Sequence, residues 1–144
     1  MSQGFLLDTN VLSELMRPAP APEVLAWFAH RAASAMYTSG ITQAEVLTGI
    51  ALLPAGQRRD ALARVAQAMF AEDFAGRILN FDSAAAEHCA LIVASRTRLG
   101  RPISTEDAQI AALALAAGLT LVTRNGKDFA AIDGLVQVNP WQAH

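Results

Sequence analysis

The chain has 144 residues, 53% of them hydrophobic, and a formal net charge of −2. That length supports one well-buried core and is short for two, so a single domain over residues 1–144 is expected. The lone cysteine, Cys89, excludes a disulfide framework or a thiolate metal cluster and fits a reducing cytoplasm, while the slightly acidic balance speaks against unaided, non-specific binding to nucleic acid.

Phe5-Leu6-Leu7 is a short continuous apolar run that ends at Asp8, and Val11 to Met16 follows it, which reads as a buried strand feeding a short helix. No basic segment precedes a long apolar stretch there, so no membrane association is expected. Pro18, Pro20 and Pro22 interrupt the chain before a helix over Glu23 to Arg31, and Met36 to Ser39 reads as a second strand. Thr42-Gln43-Ala44-Glu45 has the spacing of a capping box, opening a helix that runs to about Leu53. A longer helix from Gln57 to about Phe70, a strand at Arg77 to Phe81, and a helix capped by Asp82 or Ser83 that ends near Leu99 come next. Ser104-Thr105-Glu106-Asp107 is a second capping box, and its helix closes at Gly118. The strands Thr120 to Thr123 and Leu135 to Val138 complete the chain, separated by a turn around Gly126 to Ala131. Alternating strands and helices, with strands apolar on both faces, argue for a parallel sheet covered on each side.

In such sheets ligands bind at the carboxyl ends of the strands. Asp8 ends the first strand, Glu45 and Asp107 lie near the starts of two helices, and Asn125 follows the fourth strand, so all four are candidates to converge on that edge. Carboxylates brought that close repel by roughly 1 to 4 kcal/mol per pair at surface-like dielectric, which calls for a cation. Hard oxygen donors suit Mg²⁺ or Mn²⁺, ions that activate water and neutralise charge on a phosphate under attack. Each residue also has a plainer role open to it: Glu45 and Asp107 as capping-box members, Asp8 as a helix cap, Asn125 as a turn residue before Gly126.

The motifs as a set resemble a known family. Leu6-Leu7-Asp8-Thr9-Asn10-Val11-Leu12-Ser13-Glu14 is similar to the opening of PIN-domain toxins of the VapC and FitB kind, and Thr42 to Gly49, Asp107 to Ala112 and Leu121 to Phe129 resemble their second, third and fourth motifs. Val138-Asn139-Pro140-Trp141 resembles the ending of the FitB-like branch, so the resemblance runs from about Phe5 to Trp141. It implies a three-layer α/β/α domain with a five-stranded parallel sheet in the order 3-2-1-4-5. It also implies a toxin that cleaves RNA with Mg²⁺ or Mn²⁺, that Asp8, Glu45 and Asp107 hold the metal, and that Asn125 takes the fourth position, where many relatives carry Asp. Asp128 is a weaker alternative for that place. Asn10 and Thr123 would orient the carboxylates, and Arg124 would meet a phosphate. The partners implied are an RNA substrate, an antitoxin protein and a second copy of the chain. The apolar surplus of Glu23 to Arg31 and Gln57 to Phe70 points to a groove for the antitoxin between those helices.

Other features resolve to structure. His30, His88 and His144 stand away from the acidic positions, Glu14 is spaced to pair with Arg17 or to approach the acidic site, and Trp27, Phe28, Phe70, Phe74 and Phe81 read as core. An aspartyl phosphatase is the rival enzyme class, but it needs a second Asp two residues after Asp8, where this chain has Asn10. A non-catalytic module that binds nucleic acid or a protein partner is the other reading, separable by its lack of metal-dependent turnover.

Overall fold

The computed structural model describes residues 4–142, so His144 lies outside the described residues. Five strands, β1 (Phe5–Leu7), β2 (Met36–Ser39), β3 (Ile78–Leu79), β4 (Thr120–Val122) and β5 (Gln137–Val138), form one sheet in the order β3-β2-β1-β4-β5. Every pairing is parallel, with Leu6 opposite Tyr37 on one side and Leu121 on the other. This is the three-layer arrangement that the motifs imply. Six α-helices cover the sheet: α1 (Thr9–Leu15), α2 (Pro22–Ala29), α3 (Gly40–Ala51), α4 (Gln57–Ala68), α5 (Ser83–Arg98) and α6 (Thr105–Ala117).

Successive strand residues point to opposite faces, so a strand covered on both sides must be apolar at every position. Leu6 and Leu7 are accordingly buried to 0% and 1% exposure. Leu7 and Val122 join a core with Val11, Leu12, Trp27, Val46, Ile50 and Phe70 beneath α1 to α4. Leu6 and Leu121 join Ala85, Ile92, Ile110, Ala111 and Leu113 beneath α5 and α6. Alanines at 108, 111, 112 and 114 are all fully buried, which lets α6 lie close to the sheet and to α5.

Several local details differ from the pattern in the sequence. Thr42 does not start α3; Ser39 does, its hydroxyl accepting from the Thr42 backbone N–H at 3.1 Å. Glu45 therefore sits beyond the first turn and closes no helix end. The expected box at Ser104 keeps its first half, with the hydroxyl accepting from Asp107 N–H at 3.1 Å. Asp82 is the cap of α5. A single turn of π-helix over Met69–Asp73 extends α4, placing Met69, Phe70 and Phe74 in the core. Phe81 is 39% exposed, against its expected place there, because β3 ends at Leu79 and the chain has already left the sheet. Gly118 ends α6 at φ 66°, the left-handed region where a side chain would be strained.

A buried arginine ties the loops on one side of the sheet edge together. Arg96, 5% exposed on α5, donates from Nε to the Arg101 carbonyl at 2.7 Å, and from Nη1 to the carbonyls of Asp128 and Ala130 at 2.9 and 3.0 Å. Its charge is met by backbone dipoles rather than by a carboxylate. One side chain thus joins the loop leading to α6 with the turn after β4, and these two segments carry Asp107 and Asn125. Glu14 of α1 does a comparable job. It bridges Arg17 at 3.2 Å and accepts the Ala21 N–H at 2.8 Å, which fixes the proline-rich link to α2 and holds its carboxyl below the usual range.

Candidate active site at the carboxyl edge of the sheet

The chain runs from β1 outward to β2 and β3, then returns to lay β4 on the other side of β1. Between β1 and β4 the connections diverge, leaving a crevice at the carboxyl ends of the two strands. Asp8 follows β1 directly and Thr123 follows β4, and the Asp8 N–H continues the ladder by donating to the Val122 carbonyl at 2.9 Å. Asp8 is 5% exposed and caps α1, with Oδ1 accepting the Thr9 N–H at 2.8 Å. Oδ2 accepts the Thr123 hydroxyl at 2.8 Å and the Asn10 amide at 3.2 Å. These donors use three of the roughly four lone-pair positions of a carboxylate and leave one on Oδ1 free for a ligand.

The same groups knit the fourth motif to the first. The Thr123 hydroxyl accepts the Asn125 N–H at 3.1 Å, and Asn10 Oδ1 accepts the Arg124 N–H at 3.1 Å. Asn125 is exposed at the start of a short 3-10 turn, Gly126–Phe129, and its tie to the carboxylates runs through its backbone. On the opposite wall, the Thr9 hydroxyl donates to Glu45 Oε1 at 3.2 Å and also lies 3.2 Å from the hydroxyl of the buried Thr42. Thr9 and Thr42 were not singled out from the sequence as polar contacts. A threonine directly after Asp8 and another opening the second motif were the available signal.

The carboxyls of Asp8, Glu45 and Asp107 are all held above their ordinary values, first by desolvation. Their mutual charges add to this: Asp8 raises both Glu45 and Asp107, and Asp107 raises Glu45. Exposed Asp128 contributes too, its charge acting on Asp8 and Asp107. Hydrogen bonds from Thr123, Thr9, Asn10 and Ser104 oppose the rise without cancelling it. Each acid therefore lies within reach of the others' charge. Among the described residues, however, no three His, Cys, Asp or Glu side chains stand close enough to share one ion. The donor set is all hard oxygen, and its uncompensated negative charge suits Mg²⁺ or Mn²⁺ rather than a soft metal.

The orienting role of Thr123 is testable on its own. Thr123→Val keeps shape and burial but removes both the donor to Asp8 and the acceptor for Asn125. Mn²⁺ affinity measured by titration calorimetry should fall about 10- to 100-fold, as for other groups that orient metal ligands. An unchanged affinity would remove Thr123 from the site.

Fold and site together define an α/β/α domain with a cluster of acids at the switch point of a parallel sheet. A model of the PIN domain matches residues 5–135. The chain is 39% identical to the VapC ribonuclease Y4jK of Sinorhizobium fredii, an alignment covering 95% of this chain and 97% of that one. It is 40% identical to the toxin FitB of Neisseria gonorrhoeae, over 94% of this chain and 97% of FitB. The solved structure of FitAB bound to a DNA fragment superimposes with a TM-score of 0.89 at 38% identity, covering 97% of each chain. This chain belongs to the PIN domain family and is of the VapC and FitB kind.

Proposed function

We propose that the chain is a ribonuclease dependent on Mg²⁺ or Mn²⁺ and the toxin half of a toxin–antitoxin pair. The observation that carries the reading is the placement of Asp8, Glu45 and Asp107 at the sheet's switch point, hard oxygen donors within reach of one another's charge and, among the described residues, with no cationic side chain bonded to them. The relatives named as a VapC ribonuclease and as toxin FitB support it. Asp8, Glu45 and Asp107, which stand too far apart here to share one ion, would draw together around it, and the ion would supply an activated water and neutralise charge on the scissile phosphate. Asn10 and Thr123 keep Asp8 fixed through their hydrogen bonds, and Asn125 presents a neutral amide where an acid would add charge.

Beside Glu45 an apolar cleft of about 720 Å³ runs between α1, α3 and α4, past Met16, Val46, Ile50, Leu62 and Val65. A second cleft of about 530 Å³ shares Met16 and Val65 and continues between α2 and α4, past Phe28 and Met69. The groove expected between α2 and α4 is thus only the distal part, and the larger part lies against α1 and α3. An apolar antitoxin segment would lie along both clefts, with a basic side chain reaching Glu45.

One assay tests both halves of the proposal. The purified chain should cut RNA in Mn²⁺ and stop in chelator. Co-purified with its partner it should be silent, and Val65→Glu, at an exposed position on the groove wall, should release partner and activity together. RNA binding without metal-dependent turnover would instead establish the non-catalytic module.

A further inference from the structure

Sharing no lining residue with the apolar groove is a polar cleft of about 350 Å³. One wall is Thr123, Arg124 and Lys127 after β4, and the other is Gln137, Asn139 and Gln142 from β5 onward. None of the residues that line it is acidic, although it opens next to the acid cluster. Its link to that cluster is direct, because the Thr123 on its wall donates to Asp8 Oδ2 at 2.8 Å.

Three observations describe what the cleft would accept. Its cations are exposed Lys127 and the Arg124 guanidinium, which rests 4.7 Å from the centroid of the Trp141 ring and is fixed at the rim by that contact. A guanidinium held on an aromatic face still offers its edge N–H groups to a phosphate. Gln137 lines the cleft, and among the described residues its buried Oε1 has no hydrogen-bond donor, while its Nε2 donates to the Gly126 carbonyl at 3.3 Å. An unpartnered acceptor in a polar recess is relieved by a ligand that carries a donor. Finally, the volume lies at the small end of the range for ligand sites, enough for one small polar molecule.

Anionic group, hydrogen-bond donor and small size together describe a single nucleotide. We infer that this cleft seats one ribonucleotide of the RNA substrate, the one adjoining the phosphate that is cut at the carboxylates. The inference rests on the ribonuclease reading. Lys127 and Arg124 take its phosphate, and Gln137, whose amide turns to bring the buried Oε1 to the cleft, takes the 2′-hydroxyl, the group that separates RNA from DNA and can donate to an acceptor. The polar cleft and the apolar groove share no lining residue, which leaves one free for nucleic acid and the other for a protein partner.

The test is a titration of ¹⁵N-labelled chain, in chelator, with ribonucleoside 5′-monophosphates, their 2′-deoxy counterparts and inorganic phosphate. Saturable shifts are expected for the amides of residues 124–127, 137–139, 141 and 142, with ribonucleotides bound about fivefold tighter than deoxynucleotides, the worth of one neutral hydrogen bond. Gln137→Leu should erase that difference, and Lys127→Ala, at an exposed position that does not threaten the fold, should weaken both about tenfold. The inference is overturned by silence at these amides, by inorganic phosphate binding as tightly as the nucleotides, or by unchanged binding in Lys127→Ala. RNA cleavage in Mn²⁺ with a silent cleft overturns this inference alone. Nucleotide binding in a chain that never cuts RNA overturns the ribonuclease reading and, with it, the placement beside a scissile bond.

Discussion

Asp8→Asn is expected to lower metal-dependent RNA cleavage by at least about a hundredfold, and adding Asp107→Asn should cost little more, since residues that act as one unit are not additive. Asp8 is the pivot of the cluster. It alone is buried among the three acids, it receives the Thr9, Asn10 and Thr123 donors, and its charge bears on both Glu45 and Asp107. The swap removes the charge an ion would bind and also sets the amide nitrogen against at least one hydrogen-bond donor. If the amide oxygen stays on the Thr9 N–H, the amide nitrogen confronts the Asn10 and Thr123 donors. Loss of activity from that misfit alone would leave metal affinity intact. The deciding measurements are initial rates for wild type, both single variants and the double variant across a series of Mn²⁺ concentrations. Rates that multiply in the double variant, or a fully active Asp8→Asn, would dissolve the unit.

How far the sequence discloses this site depends on the range of the interaction concerned. Asp8 was legible because a carboxylate directly after a buried apolar strand is set by local chain direction alone. The partnership of Asn10 and Thr123 spans 113 residues and was reachable only through the family's motifs. The plainer role open to Glu45, as a capping residue, rested on its spacing from Thr42, yet Ser39 starts the helix earlier. Spacing alone does not say which of two hydroxyls, three residues apart, takes the cap. Thr42 instead faces Thr9 across the crevice, a contact that exists only once β1 and β2 pair. Arg96 carries no signal in the sequence, since its acceptors are backbone carbonyls brought together by the fold. Phe81 failed as a core residue for a related reason: β3 is two residues long, and what lies beyond it turns outward whatever its hydrophobicity.

Divalent metal should raise the melting temperature of this chain by roughly 5 to 10 °C at a hundredfold excess over its Kd, from about 2.7 kcal/mol of linkage. The gain should be largest near neutral pH. Asp8, Glu45 and Asp107 have ordinary values of 3.8, 4.5 and 3.8, and in the folded chain all three are raised. An acid whose folded pKa exceeds its unfolded one favours folding when protonated. That contribution is complete below the unfolded value and is lost as pH rises through the folded value, so the metal-free protein is penalised above it. An ion that binds the carboxylate forms offsets the penalty where it is greatest, and protons displace the ion as pH falls. Which substitution relieves the repulsion most cleanly follows from the hydrogen bonds. Asp8→Asn removes a charge at the expense of a conflict with Thr123 or Asn10, so its melting point in chelator mixes two opposing effects. Asp107→Asn is half-buried and meets only Ser104, and the net upward displacement of its pKa means that neutralisation there favours the fold. Asp107→Asn should therefore melt above wild type in chelator at pH 7, match it near pH 4, and gain less from Mn²⁺. Thermal melts of wild type and Asp107→Asn, with chelator and with Mn²⁺ at both pH values, decide the matter. Identical responses to Mn²⁺ in the two proteins would mean that Asp107 holds no metal, and the site would lose the acid delivered by α6.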